Sequence, residues 1–205
     1  MDKSSWLIDG PARAKTTFIF SHGAGAAMDT EFMQTIAEAI AETGIRVIRF
    51  EFPYMQEQRR SGKKRPPDRE PVLRETWLKV ISSVKSSRIA IGGKSMGGRI
   101  ASLIADEAGV NQWIGLGYPF HPMGKPDRLR LDHLKSMQTP GMILQGERDP
   151  MGNQSEVSGY GLPKDLKIQW LADGDHSFKP RKASGKTAEE NWLEAAEHVS
   201  RCLLN

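Results

Sequence analysis

RIAIGGKSMGGRI, residues 88–100, is the stretch whose reading decides how this chain folds. Its first half, 88–92 (RIAIG), is short, apolar and β-branched, the pattern of a buried strand. Its second half opens a helix over 96–108, with Gly98 and Ala101 near the start. Between them stands Gly93-Lys94-Ser95-Met96-Gly97. A Gly-x-Ser-x-Gly string carries little alone: with 20 glycines, chance supplies one in roughly one chain in seven. The context gives it weight. A serine between strand and helix sits on a sharp turn that strains its backbone and thrusts its hydroxyl outward. Such a turn has room only for small residues two before and two after. The bland alternative is a Gly-rich packing turn.

Working outward, β-rich runs alternate with longer amphipathic segments. Strands are predicted at 16–21 (TTFIFS), 45–50 (IRVIRF), 111–117, 141–145 and 166–171, with one possible edge strand at 6–9 (WLID). Helices are predicted at 30–43, stopped by Gly44, at 71–86 with Pro71 in its first turn, and at 187–203. The last carries the apolar stripe Trp192, Ala195, Ala196, Val199 and Leu203 at helical spacing. This alternation predicts an α/β fold: a mostly parallel sheet of six or seven strands with helices on both faces, joined by right-handed crossovers. The charged, Pro-rich run 56–70 (QEQRRSGKKRPPDRE) reads as an exposed, mobile loop. No repeat or linker divides the chain, so 1–205 reads as one domain.

A serine hydroxyl is a poor nucleophile at neutral pH. It needs a base within hydrogen-bond reach and an acid to orient that base. His176 in ADGDHSF follows the strand at 166–171, and Asp149 in QGERDP follows the strand at 141–145. Both therefore fall at carboxyl ends of strands, the edge on which Ser95 lies and where open parallel sheets place their sites. Asp173 and Asp175 compete with Asp149, but adjacent to His176 they need a local hairpin to reach its ring; Glu147 is the next alternative. His22, His121, His133 and His198 read as structural or solvated.

A tetrahedral intermediate needs backbone N–H donors for its oxyanion. One is the amide after the nucleophile, Met96. The other is expected from the Gly-rich loop Ser21-His22-Gly23-Ala24-Gly25, with Ala24 preferred and Gly25 the fallback. A phosphate-binding reading of this loop fails on spacing, since neither a Lys-Ser/Thr ending nor Gly-x-Gly-x-x-Gly is present.

Composition excludes several classes. Charged residues are 26% and hydrophobic residues 38%, which fits a packed globular protein rather than disorder. No run approaches the roughly 18 apolar residues of a membrane span, and MDKSSWLIDG lacks a signal-peptide core. The single cysteine, Cys202, permits no internal disulfide and suits a cytoplasmic setting. A formal net charge of +4 without aromatic-interleaved basic motifs gives no nucleic-acid signature, and no metal-ligand spacing appears.

Together these residues resemble the α/β-hydrolase superfamily, and within it small dienelactone-hydrolase-like proteins. The strings that carry the resemblance are HGAGA (22–26), FPYM (52–55) and GKSMGGR (93–99), and it spans about residues 16–203. It implies a Ser95–Asp149–His176 triad with backbone donors at Ala24 and Met96, and no cofactor. Two departures matter. Dienelactone hydrolase has a cysteine nucleophile where this chain has Ser95, which points to ordinary ester chemistry. The segment between the strands at 111–117 and 141–145 is also too short for a cap domain, so the site should be shallow and open.

The resulting expectation is a serine hydrolase acting on a small-molecule carboxylic ester without metal or cofactor. Two rivals stand beside it: a non-catalytic interaction module that kept the fold, and a short-peptide serine peptidase. Nucleic acid and membrane are not expected partners; the oligomeric state is not legible. The loops expected around Ser95 (51–70, 117–139, 146–160 and 172–186) together carry four more basic than acidic side chains, equal to the chain's whole net charge of +4. That suggests an anionic ester, against the bland reading of solvated loop lysines and arginines.

Overall fold

The computed structural model describes residues 5–205. The first four residues, which begin the stretch read above as lacking a signal core, lie outside the described part. Seven strands form one sheet: β1 (Leu7–Asp9), β2 (Thr16–Ser21), β3 (Arg46–Phe50), β4 (Arg88–Lys94), β5 (Gln112–Leu116), β6 (Gly141–Gly146) and β7 (Lys167–Leu171). Their spatial order is β1-β3-β2-β4-β5-β6-β7. Only β1, the anticipated edge strand, runs antiparallel to its neighbour, pairing Ile8 with Ile48; the other pairs are parallel. The nucleophile strand β4 is central, in register with β2 (Ile19 opposite Ile91) and β5 (Ile91 opposite Trp113).

Alternation along the strands builds two cores. Phe18, Phe20, Val47, Ala90, Ile114, Leu116, Met142 and Leu144 face one side of the sheet. There they meet α1 (Glu31–Glu42) through Phe32, Met33, Ile36 and Ile40, and α7 (Ala188–Leu204) through Ala195, Ala196, Val199 and Leu203. Ile19, Ile48, Phe50, Ile91, Trp113 and Ile143 face the other side. They meet α3 (Glu70–Ser83) through Trp77 and Val80, and α4 (Met96–Ser102) through Ile100 and Ala101. Trp77 is fully buried and stacks edge-on against Phe50 with ring centres 4.8 Å apart. Burial of one such side chain is worth about 1.5–3 kcal/mol. The ends of the helices follow their sequence signals. Gly44, at φ +89°, closes the last turn of α1, and Thr187 and Glu190 form a capping box on α7.

Two expectations are corrected. The run 56–70 is not loop throughout: its first six residues belong to α2 (Pro53–Ser61), which ends on left-handed Gly62. Only Tyr54 and Met55 of α2 are buried, so no apolar stripe marks it in sequence, and an Arg60–Glu57 pair supports its exposed face. The helix expected over 96–108 is two: α4 and α5 (Ala105–Ala108). The amides of Leu103 and Ile104 bond three residues back, to Ile100 and Ala101, and Ile104 leaves helical geometry. That break turns the chain so that Asn111 can accept the Ile89 amide at the entry to β5. The remaining short helix is α6 (Gln154–Val157).

Because β2, β4, β6 and β7 are parallel, Ser21, Lys94, Gly146 and Leu171 end at one edge of the sheet. Between β5 and β6 the chain forms a short 3-10 turn, Asp132–Lys135, and buries Tyr118, Phe120, Leu131 and Leu134 in the core; among the described residues no cap domain covers the edge.

Candidate active site

Ser95 stands between the last residue of β4 and the first of α4, with φ 51° and ψ −117°. A non-glycine residue at positive φ is strained, and a strained residue persists only where its surroundings over-determine it. Here the Ser95 amide donates to the Leu116 carbonyl (2.8 Å), and its own carbonyl accepts the Arg99 amide (2.9 Å) as α4 begins. The flanking glycines are required by contact. A Cβ at Gly93 or Gly97 would collide with the Ser21 hydroxyl, and at Gly97 with the His22 carbonyl as well.

The structure brings the three sequence-selected groups into one hydrogen-bonded run. His176 Nε2 lies 2.8 Å from Ser95 Oγ, and His176 Nδ1 lies 2.7 Å from Asp149 Oδ2. A carboxylate can only accept, so Nδ1 carries the proton and Nε2 is left to accept from the serine hydroxyl. Asp149 is fully buried and held from three further directions. Its Oδ1 accepts the Met151 amide (2.8 Å), its Oδ2 accepts Gln145 Nε2 (2.9 Å), and its own amide bonds to the Gly146 carbonyl. Burying a carboxylate is costly without such partners.

The competing acids are engaged elsewhere. Asp173 accepts from the Arg181 amide and Nε and pairs with Arg148; the Arg181 contact, chiefly, holds its carboxyl down to about 2. Asp175 Oδ1 caps the amides of Ser177 and Lys179, and Glu147 Oε2 accepts the Asp173 amide. The other histidines described by contacts also have other tasks. His133 Nε2 bonds Ser102 Oγ at 2.8 Å, and burial pushes its pKa down to about 4, with Arg99 adding to the shift. His121 bonds the Pro122 carbonyl through Nδ1.

His22 is a loop anchor. Its Nε2 accepts the Phe52 amide (3.1 Å), so Nδ1 is the donor to the Gly23 carbonyl (2.7 Å), and burial lowers its pKa. Tyr54 adds its hydroxyl to the Gly23 and Ala24 carbonyls at 3.2 and 3.0 Å. The FPYM string thus fixes the HGAGA loop beside Ser95. Ala24 lines both clefts that meet at the serine.

Two supporting residues escaped the sequence reading. Gln145 donates to the Tyr118 and Gly152 carbonyls as well as to Asp149, and accepts the Tyr118 amide at 2.7 Å. It thereby ties the acid to the core. Its place in QGERDP, just before Asp149, was the only available signal. Lys94, given no role in the sequence reading, is buried; its Nζ donates to the His176 carbonyl at 2.5 Å and lies over the Phe32 ring. Burial pushes its pKa down to about 8, against the pull of Asp149 and Asp175.

Two clefts of about 370 Å³ each open at Ser95. The first is lined by Phe32, Met33, Ala26 and Lys94 and includes His176. The second runs past Met96, Leu73 and Ile100 to Arg99 and Arg130. Of the basic side chains on the surrounding loops, Arg59 pairs with Glu51 and Asp29, Arg65 with Glu57, Arg181 with Asp173 and Lys186 with Glu194. Among the described residues no group of three or more His, Cys, Asp or Glu could hold a metal ion, and no helix is long and apolar enough to cross a membrane.

A seven-stranded, mostly parallel sheet with a strained serine at its edge defines an α/β hydrolase. The chain belongs to that family: the Alpha/beta hydrolase domain model matches residues 14–203. Similar solved structures include an α/β serine hydrolase homologue from Coxiella burnetii, at 20% identity and TM-score 0.71 over 97% of this chain and 90% of that one. A protein from Xanthomonas campestris described as an α/β serine hydrolase without lid matches at 20% identity and TM-score 0.72, over 97% and 88% of the two chains. Dienelactone hydrolase from Anabaena variabilis matches at 16% identity and TM-score 0.69, over 96% and 88%. These likenesses are of fold.

Proposed function

We propose that this protein is a serine hydrolase that cleaves small carboxylic esters through an acyl-enzyme. The observation that carries the reading is the unbroken hydrogen-bonded run Asp149–His176–Ser95, ending on a serine held at positive φ. His176 Nε2 takes the hydroxyl proton as Ser95 Oγ adds to the ester carbonyl. Asp149 stabilises the imidazolium and keeps its ring in place. The oxyanion meets the amides of Met96 and Ala24. Collapse breaks the bond to the alcohol oxygen, which receives the proton from His176, and leaves the acyl group on Ser95. Water then adds to that acyl carbonyl, giving its proton to His176. Ser95 departs with that proton and the carboxylic acid is released.

The lidless fold and the serine nucleophile favour small esters. An Est1E structure from Butyrivibrio proteoclasticus that holds ferulic acid has the same fold, at 15% identity and TM-score 0.73 over 97% of this chain and 94% of that one. A cytoplasmic setting belongs to this reading, since Cys202 can form no internal disulfide. The interaction-module alternative gains no support, because each of the three groups keeps the partner catalysis needs. The test is turnover of 4-nitrophenyl acetate and butyrate by the wild type and by Ser95→Ala. The expected loss is of order 10⁴–10⁶-fold in kcat; undiminished turnover in the variant contradicts the reading.

A further inference from the structure

We propose that the second cleft is an acyl-side anion subsite, and that the substrate is a half-ester whose acyl group ends in a carboxylate received by Arg130 and Arg99. The inference rests on the hydrolase reading above and names its substrate class.

The two clefts divide the roles at Ser95. The leaving alcohol must lie beside the group that protonates it, so it belongs in the cleft that includes His176, with Phe32 and Met33 as an apolar wall. The acyl group then extends into the other cleft, past Met96 with its oxyanion donor and along Leu73 and Ile100. Arg99 and Arg130 line that same cleft.

Arg99 is four residues beyond Ser95, on α4, and its amide bonds to the Ser95 carbonyl. One of its terminal nitrogens pairs with Glu70 at 3.1 Å, while its Nε is buried without a hydrogen-bond partner. Arg130 is fixed at the backbone: its amide donates to the Phe120 carbonyl at 2.7 Å, and its carbonyl accepts the buried Tyr118 hydroxyl at 2.8 Å. Its guanidinium has no carboxylate or hydrogen-bond partner among the described residues, although the side chain is half-buried. Burial lowers the Arg130 pKa, and the neighbouring Arg99 lowers it further, so the two cations are close and partly desolvated. The acidic groups along the cleft are committed: Glu70 to Arg99, and Asp68 Oδ2 to the Tyr54 amide at the start of α2 (2.9 Å). Nearby His133, pushed down to about 4, is neutral and adds no charge. Two forks with one paired carboxylate between them leave donors for one more oxyanion, and a planar carboxylate suits the guanidinium fork.

The experiment compares benzyl half-esters of succinic, adipic and suberic acid with benzyl butyrate, hexanoate and octanoate, following benzyl alcohol release. Each neutral ester matches one half-ester in acyl length. For at least one length, kcat/KM is expected to favour the half-ester by about tenfold to a hundredfold, the range for hydrogen bonds to a charged partner. The ratio should collapse toward one in Arg130→Gln, and Arg130→Lys, which keeps the charge without the fork, should keep part of it. Equal kcat/KM for acidic and neutral esters in the wild type overturns the subsite whatever the variants do, as does an undiminished ratio in Arg130→Gln. In both of those cases Ser95-dependent cleavage of the neutral esters leaves the hydrolase reading standing. If no ester is cleaved and Ser95 takes no fluorophosphonate, the hydrolase reading falls, and the subsite with it.

Discussion

The two halves of the site are built by different means. The half proposed to hold the nucleophile is local: Ser95 takes its geometry from its own strand, its own helix and two glycines that let both pass close to Ser21. The acid–base half is assembled at long range. Asp149 and His176 come from separate loops, stitched together where Arg148 Nε bonds the Asp173 carbonyl (2.9 Å) and Gln145 joins Asp149 to the Tyr118 strand end. A local turn survives loss of its side chain, whereas a stitched constellation depends on each tie. The two halves should therefore respond differently to substitution.

The largest effect expected on the stitched half is at its buried acid. Asp149→Asn should lower kcat by a factor of order 10⁴, because an amide can no longer hold the Nδ1–H tautomer. Asp173→Asn, aimed at a carboxylate that serves Arg181 and Arg148, should stay within about threefold, as expected for a partly exposed ion-pair network. Steady-state kinetics on one ester separates the two. A silent Asp149→Asn beside a crippled Asp173→Asn would reverse the assignment of the acid.

This contrast also marks what the sequence could tell. The elbow was legible because its requirements are local: a β-branched strand, small residues at fixed offsets, then a helix. Strand alternation gave the sheet, and the WLID edge strand proved antiparallel. Asp149 and His176 could be proposed because both follow strands in a parallel sheet. That Asp173 and Asp175 are engaged elsewhere depends on Arg181 and on backbone amides brought in by the fold. The polar α2 was missed because it buries only Tyr54 and Met55, and the break between α4 and α5 answers to the entry of β5 rather than to any helix breaker. Lys94 and Arg130 were visible as charges. Their surroundings, which decide what they do, come from residues far along the chain.

Lys94 joins the two halves, so its removal should give a smaller and pH-dependent effect. Its ammonium sits beside Ser95 and tethers the His176 carbonyl. With a pKa near 8, it discharges as pH rises through that value and ceases to favour the developing oxyanion. The wild-type kcat/KM profile should fall severalfold through about pH 8, and Lys94→Met should lack that step. A profile unchanged by the substitution contradicts the tether's electrostatic part.

The last effect concerns stability, and its sign is opposite to that of activity. The fold lowers the Lys94 pKa from 10.5 to about 8, so between those values the unfolded chain binds more protons than the folded one. Wild-type stability therefore rises relative to Lys94→Met as pH increases from 8 toward 10.5, and the cost of the buried charge is fully present below 8. At pH 7 the Met variant should be the more stable, by about 1–3 kcal/mol. Denaturant unfolding at pH 7 and pH 10 reads both the sign and the narrowing of the gap.

The central claim is that Ser95 is an activated nucleophile. It is tested most directly by intact-mass and peptide analysis after exposure to a fluorophosphonate at neutral pH. The account predicts one covalent adduct per chain, on the peptide containing Ser95, and none on Ser95→Ala. An unlabelled wild type, or an adduct that persists in Ser95→Ala, contradicts it.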